Sequence, residues 1–161
     1  MILLVMGVAG SGKTTIGRQL ADALGWAYHE ADDFHSAANK AKMGAGIPLT
    51  DEDRAPWLAA IHEGMARTAR EGKSAVFTCS ALKARYRDAL LAGLEGVGLV
   101  FLHGDRELLL RRLQGRSEHY MKPDMLDSQL AILEPPDGAL SLDVVAPPAE
   151  LVAVIRGHFR I

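Results

Sequence analysis

Short apolar runs alternate with stretches whose apolar residues recur every three or four positions, and this alternation predicts a parallel sheet covered by helices on both faces. Ile2 to Met6 is uninterrupted and apolar, the mark of a buried central strand. Thr14 to Leu24 follows as a helix with Ile16, Leu20 and Leu24 on one side, closed by Gly25. Trp26 to His29 reads as a second strand, and a polar helical stretch then runs to about Ala45. Thr50-Asp-Glu-Asp53 resembles a capping box with Asp in place of Glu, and it opens a helix through Trp57, Leu58, Ile61 and Met65. Ser74 to Ser80 and Gly98 to His103 are further strands, each followed by a helix, over Leu82 to Leu91 and Asp105 to Gln114. An irregular polar segment over about 115–123 precedes another helix ending at Pro135-Pro136. Leu140 to Val145 and Pro148 to Phe159 supply the last strand and helix. The pattern therefore predicts a five-stranded α/β fold, read as one domain over residues 1–161, with no repeat or linker to divide it.

The strongest chemical signal sits where the first strand becomes the first helix. Gly7, Val8, Ala9, Gly10, Ser11, Gly12, Lys13 and Thr14 read G-V-A-G-S-G-K-T, a full match to the phosphate-binding loop, with Thr15 next. Glycines let the backbone curl so that successive N–H groups face one concavity, to which the helix start adds its positive dipole end. Lys13 is placed for β- and γ-phosphates, and the Thr14 hydroxyl for a Mg²⁺ ion bridging them. ATP or GTP is the expected ligand. A dinucleotide-binding turn fits worse, because Thr15 stands where that fingerprint needs Gly or Ala.

Composition narrows the partners. The chain has 161 residues, 48% of them hydrophobic and 24% charged, with a formal charge of −2 that provides no basic field for nucleic acid. Cys79 is the single cysteine, which excludes an intrachain disulfide and fits a reducing compartment. No stretch approaches the roughly 20 apolar residues of a spanning helix, so no membrane partner and a cytoplasmic location are expected. Six histidines, at 29, 35, 62, 103, 119 and 158, lack tight ligand spacing, which argues against a zinc site.

Carboxylates at the end of the second strand face the same sheet edge as the phosphate loop. Asp32 is the expected base that orients an acceptor hydroxyl and takes its proton, with Asp33 as the cap of the following helix. Arg111, Arg112 and Arg116, then His119 and Lys122, border the irregular segment and suit a lid over the phosphates, since a guanidinium binds phosphate oxygens bidentately. Lys83, Arg85 and Arg87 follow the third strand and offer cations to an anionic acceptor, although their spacing forbids all three from facing one way. Asn39-Lys40-Ala41-Lys42 imitates a guanine-reading motif but lacks its aspartate, which favours ATP over GTP.

Taken in order, G-V-A-G-S-G-K-T, A-D-D-F-H (Ala31 to His35), K-M-G-A-G-I-P-L-T-D-E-D-R-A-P-W-L (Lys42 to Leu58), C-S-A-L-K-A-R-Y-R-D (Cys79 to Asp88) and Gln129-x-x-x-Leu-Glu-Pro-Pro136 resemble the thermoresistant gluconokinases. That resemblance implies a P-loop, nucleoside-monophosphate-kinase-like sandwich around a five-stranded parallel sheet, and ATP-dependent phosphorylation of D-gluconate at its 6-hydroxyl. Lys13, Asp32 and Arg116 would carry catalysis. The loop residues with Arg112 would hold ATP, and Asp32, His35, Lys42, Arg54, Ser80, Lys83, Arg85, Arg87 and His119 would hold gluconate. The chain departs from the family at Ala31, usually Gly, and at Ser36, often Pro. Frequent dimerisation in the family extends the expectation to a homodimer. Two other functions remain open at this point: a kinase for a shikimate-like or nucleoside monophosphate acceptor, and a non-catalytic nucleotide switch.

Overall fold

Among the described residues five strands, all paired in parallel, lie in the order β2-β3-β1-β4-β5. They are β1 (Ile2–Met6), β2 (Ala27–Glu30), β3 (Ala75–Thr78), β4 (Val97–His103) and β5 (Leu140–Asp143). The helices are α1 (Lys13–Leu24), α2 (Ala37–Gly44), α3 (Asp51–Arg70), α4 (Ala84–Leu91), α5 (Arg106–Gln114), α6 (Pro123–Ile132) and α7 (Pro148–Phe159). This is a computed structural model, and it describes residues 1–115 and 123–161.

Because side chains alternate across a strand, β1 feeds two cores. Leu3 and Val5 join Ile16, Leu20, Leu109, Leu126 and Ile155 on the face covered by α1, α5, α6 and α7. Ile2, Leu4 and Met6 join Leu58, Ile61, Met65, Phe77 and Leu90 on the face covered by α3 and α4. β1 is buried throughout and lies between β3 and β4, so the chain leaves its carboxyl end at the point where strand order reverses. Ligands of open parallel sheets bind at that crevice.

Local chemistry sets the helix ends. Thr50 accepts from the Asp53 N–H at 3.1 Å while Asp53 accepts from the Thr50 N–H at 2.9 Å, which confirms the capping box at the start of α3. Such a cap contributes about 1 kcal/mol. Two expectations need correction. The chain after β2 first makes a 3₁₀ turn, Ala31–Phe34, so Asp33 lies inside that turn and caps no helix. Ser36 caps α2 instead, accepting from the Asn39 N–H at 3.1 Å. β2 also runs one residue later than expected: its register pairs Ala27 with Ala75 and Glu30 with Thr78, while the Trp26 N–H turns back to the Ala21 carbonyl at the end of α1. Glu30 therefore belongs to the strand, at its carboxyl end.

Candidate active site

Between β1 and α1 the chain turns through Gly10 and Gly12 at φ +80° and +85°, a region that favours glycine. A Cβ on Gly10 would also lie 2.8 Å from the Leu109 carbonyl oxygen of α5. No side chain caps α1, so its first N–H groups remain available to an anion. The Lys13 ammonium donates across the loop to the Val8 carbonyl at 3.1 Å. From α6, Gln129 Oε1 accepts the Ala9 N–H at 2.8 Å and so pins the loop from a helix 120 residues further on.

One cavity of about 820 Å³ brings Ala9, Gly10, Gly12, Lys13, Thr14 and Thr15 together with Asp32 and Ser80. Gly7, Val8 and Ser11 are buried behind the loop, Val8 with its side chain in the core. Asp32 is exposed on the 3₁₀ turn, whose position is held by Trp57: the indole N–H donates to the Ala31 carbonyl at 2.7 Å. The His35 ring stacks on Trp57 with centroids 4.3 Å apart and planes 11° from parallel. His35 is buried, and that burial lowers its pKa. Asn39 ties this stack to α3, approaching His35 Nδ1 at 3.4 Å and donating to the Asp53 carbonyl at 2.8 Å. Cys79 also lines the cavity, but burial pushes its thiol up to about 12, so it is no nucleophile at neutral pH.

Glu30 is the most heavily engaged carboxylate at the strand ends. Thr14 Oγ1 donates to its two oxygens at 3.2 and 3.4 Å, Thr78 Oγ1 donates to Oε1 at 3.0 Å, and the Tyr28 hydroxyl donates to Oε2. Because an ionised carboxylate only accepts, the Thr14 proton is directed at Glu30 and its lone pairs stay available for a cation. That donor set is all oxygen and sparse, which fits Mg²⁺ carried in by a polyphosphate; among the described residues no cluster of three metal-ligating side chains offers an alternative cage.

A second cavity of about 350 Å³ meets the first at Gly10, Gly12 and Thr15 and extends to Arg111, Arg112, Ala146, Pro148 and Leu151. Arg112 lines it and donates to the Val144 carbonyl at 2.6 Å. The remaining predicted cations within the described residues line neither cavity. Arg54, Lys83 and Arg85 surround the Tyr86 ring, at 5.9, 5.6 and 5.3 Å from its centroid. The Tyr86 hydroxyl donates to Asp51 at 2.8 Å, and that hydrogen bond foremost lowers the Asp51 pKa. Lys42 pairs with Asp53 at 2.9 Å. Arg87 is buried and donates to the carbonyls of Ala81, Leu82 and Glu134 at 2.8, 3.2 and 2.8 Å, so it ties backbone together rather than facing a ligand. Arg116 and His119, like Lys122, lie outside the described residues.

Sequence reasoning gave no role in the site to Glu30, Trp57, Gln129 or Tyr86. Glu30 is expected at the sheet edge, but its partner Thr78 is 48 positions away and no local pattern announces it. The other three stand in blocks already singled out, but as polar or aromatic residues without a reacting group they carried no chemical flag.

A family model described as an AAA domain matches residues 2–136. The chain is 48% identical to a gluconokinase of Gluconobacter oxydans over 136 residues, 83% of this chain and 75% of that protein. It is 43% identical to a probable gluconokinase of Xenopus tropicalis over 98% of this chain and 93% of that one. Among solved structures, a gluconokinase from Sinorhizobium meliloti superposes with a TM-score of 0.87 at 42% identity, covering 98% of this chain and 90% of that chain.

Proposed function

The chain belongs to the gluconokinase family, and from that premise we propose that it transfers the γ-phosphoryl group of ATP to the 6-hydroxyl of D-gluconate, giving 6-phospho-D-gluconate and ADP. The observation that carries this reading is the single cavity in which Lys13 and Thr14 share walls with Asp32 and Ser80, since phosphoryl donor and acceptor must meet in one space. Ala9, Gly10, Gly12, Lys13, Thr14 and Thr15, which line that cavity, hold the phosphates. The smaller cavity, between Arg111, Arg112 and Leu151, takes the nucleoside. Thr14 would ligate Mg²⁺, with Glu30 orienting its hydroxyl; when bound, the ion neutralises charge on the transferred group. Asp32 accepts the hydrogen of the 6-hydroxyl. As its oxygen bonds to the γ-phosphorus, the bond to the β-bridging oxygen breaks, ADP departs and the proton passes to Asp32. Lys13 stabilises the charge that develops on the phosphoryl oxygens. Arg54, Lys83 and Arg85 are the cations offered to the gluconate carboxylate. Residues 1–161 act in this reading as one kinase domain; the lid expected over about 115–123 lies, but for its two end residues, outside the described residues.

ADP formation measured with and without D-gluconate tests the assignment, with shikimate and nucleoside monophosphates as competing acceptors. Turnover should depend on gluconate, and Lys13→Ala should lower kcat by about 100-fold or more while circular dichroism stays native. Equal turnover on another acceptor would overturn the substrate, and a folded Lys13→Ala protein of normal kcat would overturn the phosphate loop's role.

A further inference from the structure

Besides Thr14, Glu30 is gripped by two hydroxyls that transfer chemistry does not need. Thr78 Oγ1 stands 3.0 Å from Oε1, the Tyr28 hydroxyl donates to Oε2, and the two hydroxyl oxygens are 3.1 Å apart. Each hydroxyl owns one proton, and an ionised carboxylate can only accept. With both protons directed at Glu30, the contact between the two oxygens is a by-product of their convergence rather than a third hydrogen bond. One oxygen of Glu30 is therefore held by Thr78 and the other by Tyr28, and rotation of the carboxylate about its own axis is blocked.

Packing fixes the two donors in turn. A Cβ on Gly17 of α1 would lie 2.6 Å from Thr78 Cγ2 and 2.9 Å from Tyr28 Cε2, so the absence of a side chain there is what lets both residues sit against the helix. The Arg18 guanidinium covers the Tyr28 ring at 5.3 Å from its centroid. What this arrangement presents to the phosphate loop is a carboxylate of fixed orientation, 3.2 Å from Thr14 Oγ1.

We propose that Tyr28 and Thr78 are positioning residues for the cation that accompanies the nucleotide: they lock Glu30, Glu30 takes the Thr14 proton, and the Thr14 lone pairs are thereby aimed at the metal. The proposal rests on Thr14 being a ligand of that cation. Partners one bond removed from a metal ligand are worth about 10-fold to 100-fold in metal affinity, and a hydroxyl acting through a carboxylate and a threonine belongs at the low end of that range.

Tyr28→Phe removes the hydroxyl and keeps the ring, and Thr78→Val removes the other and keeps the shape. Binding of the non-hydrolysable ATP analogue AMPPNP should be followed by calorimetry in Mg²⁺ and in EDTA. The expected result is an affinity about 10-fold weaker in Mg²⁺ for either variant, with binding in EDTA unchanged, and a matching rise in the Mg²⁺ concentration that half-saturates turnover. Equal weakening in both media would mean that the hydroxyls merely brace the fold, and unchanged binding in both would mean that they do nothing for the metal; either overturns the proposal. If Mg²⁺ adds nothing to AMPPNP affinity in the unaltered protein, the reading of Thr14 as a metal ligand fails first, and that result is distinct from the other two.

Discussion

Glu30 and Asp32 stand two residues apart, yet one is enclosed by three hydroxyls and the other is exposed in the cavity. A carboxylate with its lone pairs engaged is suited to orienting neighbours, and an exposed one to receiving a proton. Asp32→Asn keeps size and hydrogen bonding but removes the basic charge, so kcat should fall by about 10² to 10⁴ while ATP affinity changes little. Asp33→Asn is the matched control, because Asp33 caps nothing in this fold, and it should leave kcat within about twofold. Steady-state kinetics on both proteins decide the matter: a larger loss from Asp33→Asn would reverse the assignment, and no loss from either would leave proton transfer to another group. At this scale the phosphate loop, and the place of Asp32 in one cavity with it, were legible because they follow from residue type and from the end of the second strand. Arg87 was not legible as a tether, since the carbonyl that receives its second nitrogen belongs to Glu134, 47 positions away. Nothing in the local pattern announces such a partner.

Elements were read most accurately where an apolar period or a cap marks them. β1 and α7 fall on their expected limits, and the Thr50 box opens α3 as its residue types require. The stretch after β2 was misread because a 3₁₀ turn and a short helix share the polar composition of one longer helix. α6 was expected only as a helix, but it has a task in the site: Gln129 holds the Ala9 N–H, and beyond the helix the Glu134 N–H donates to the Leu82 carbonyl at 2.8 Å. One segment thus braces both the phosphate loop and the loop that carries Ser80. Gln129→Leu should leave the Ala9 N–H without its acceptor and the phosphate loop less preorganised. A neutral hydrogen bond contributes about 0.5–1.5 kcal/mol, so AMPPNP affinity should weaken by about 2-fold to 12-fold. Calorimetry that finds wild-type affinity in a folded Gln129→Leu protein would remove α6 from the binding machinery.

At the level of the whole molecule, alternating strands and helices were enough to foresee a parallel five-stranded sheet, whereas the order β2-β3-β1-β4-β5 rests on crossovers that no local pattern encodes. That order leaves β2 at one edge of the sheet, with two histidines on it and just beyond it. His29, on β2, stacks on Phe77 with centroids 4.6 Å apart, and His35 stacks on Trp57. Burial is the first cause that lowers both pKa values; Arg67 opposes and Asp33 favours the charge on His29, while Lys40 and Arg54 oppose and Asp32 favours that on His35. The sign of the consequence follows from linkage. In the unfolded chain each histidine binds a proton near pH 6.5, which the folded protein declines until a lower pH, so stability is full above about 6.5 and falls as pH drops toward the folded values. Carboxylates whose pKa values lie below the ordinary range, Asp51 and Asp53 among them, act in the same direction but only below about pH 4, so the two windows separate. Tm should therefore decline between pH 7.5 and 5.5, and the double variant His29→Gln, His35→Gln should flatten that decline even though loss of the two ring stacks lowers its Tm throughout. A flat wild-type profile, or an undiminished slope in the double variant, would show that these two rings do not set the protein's response to mild acid.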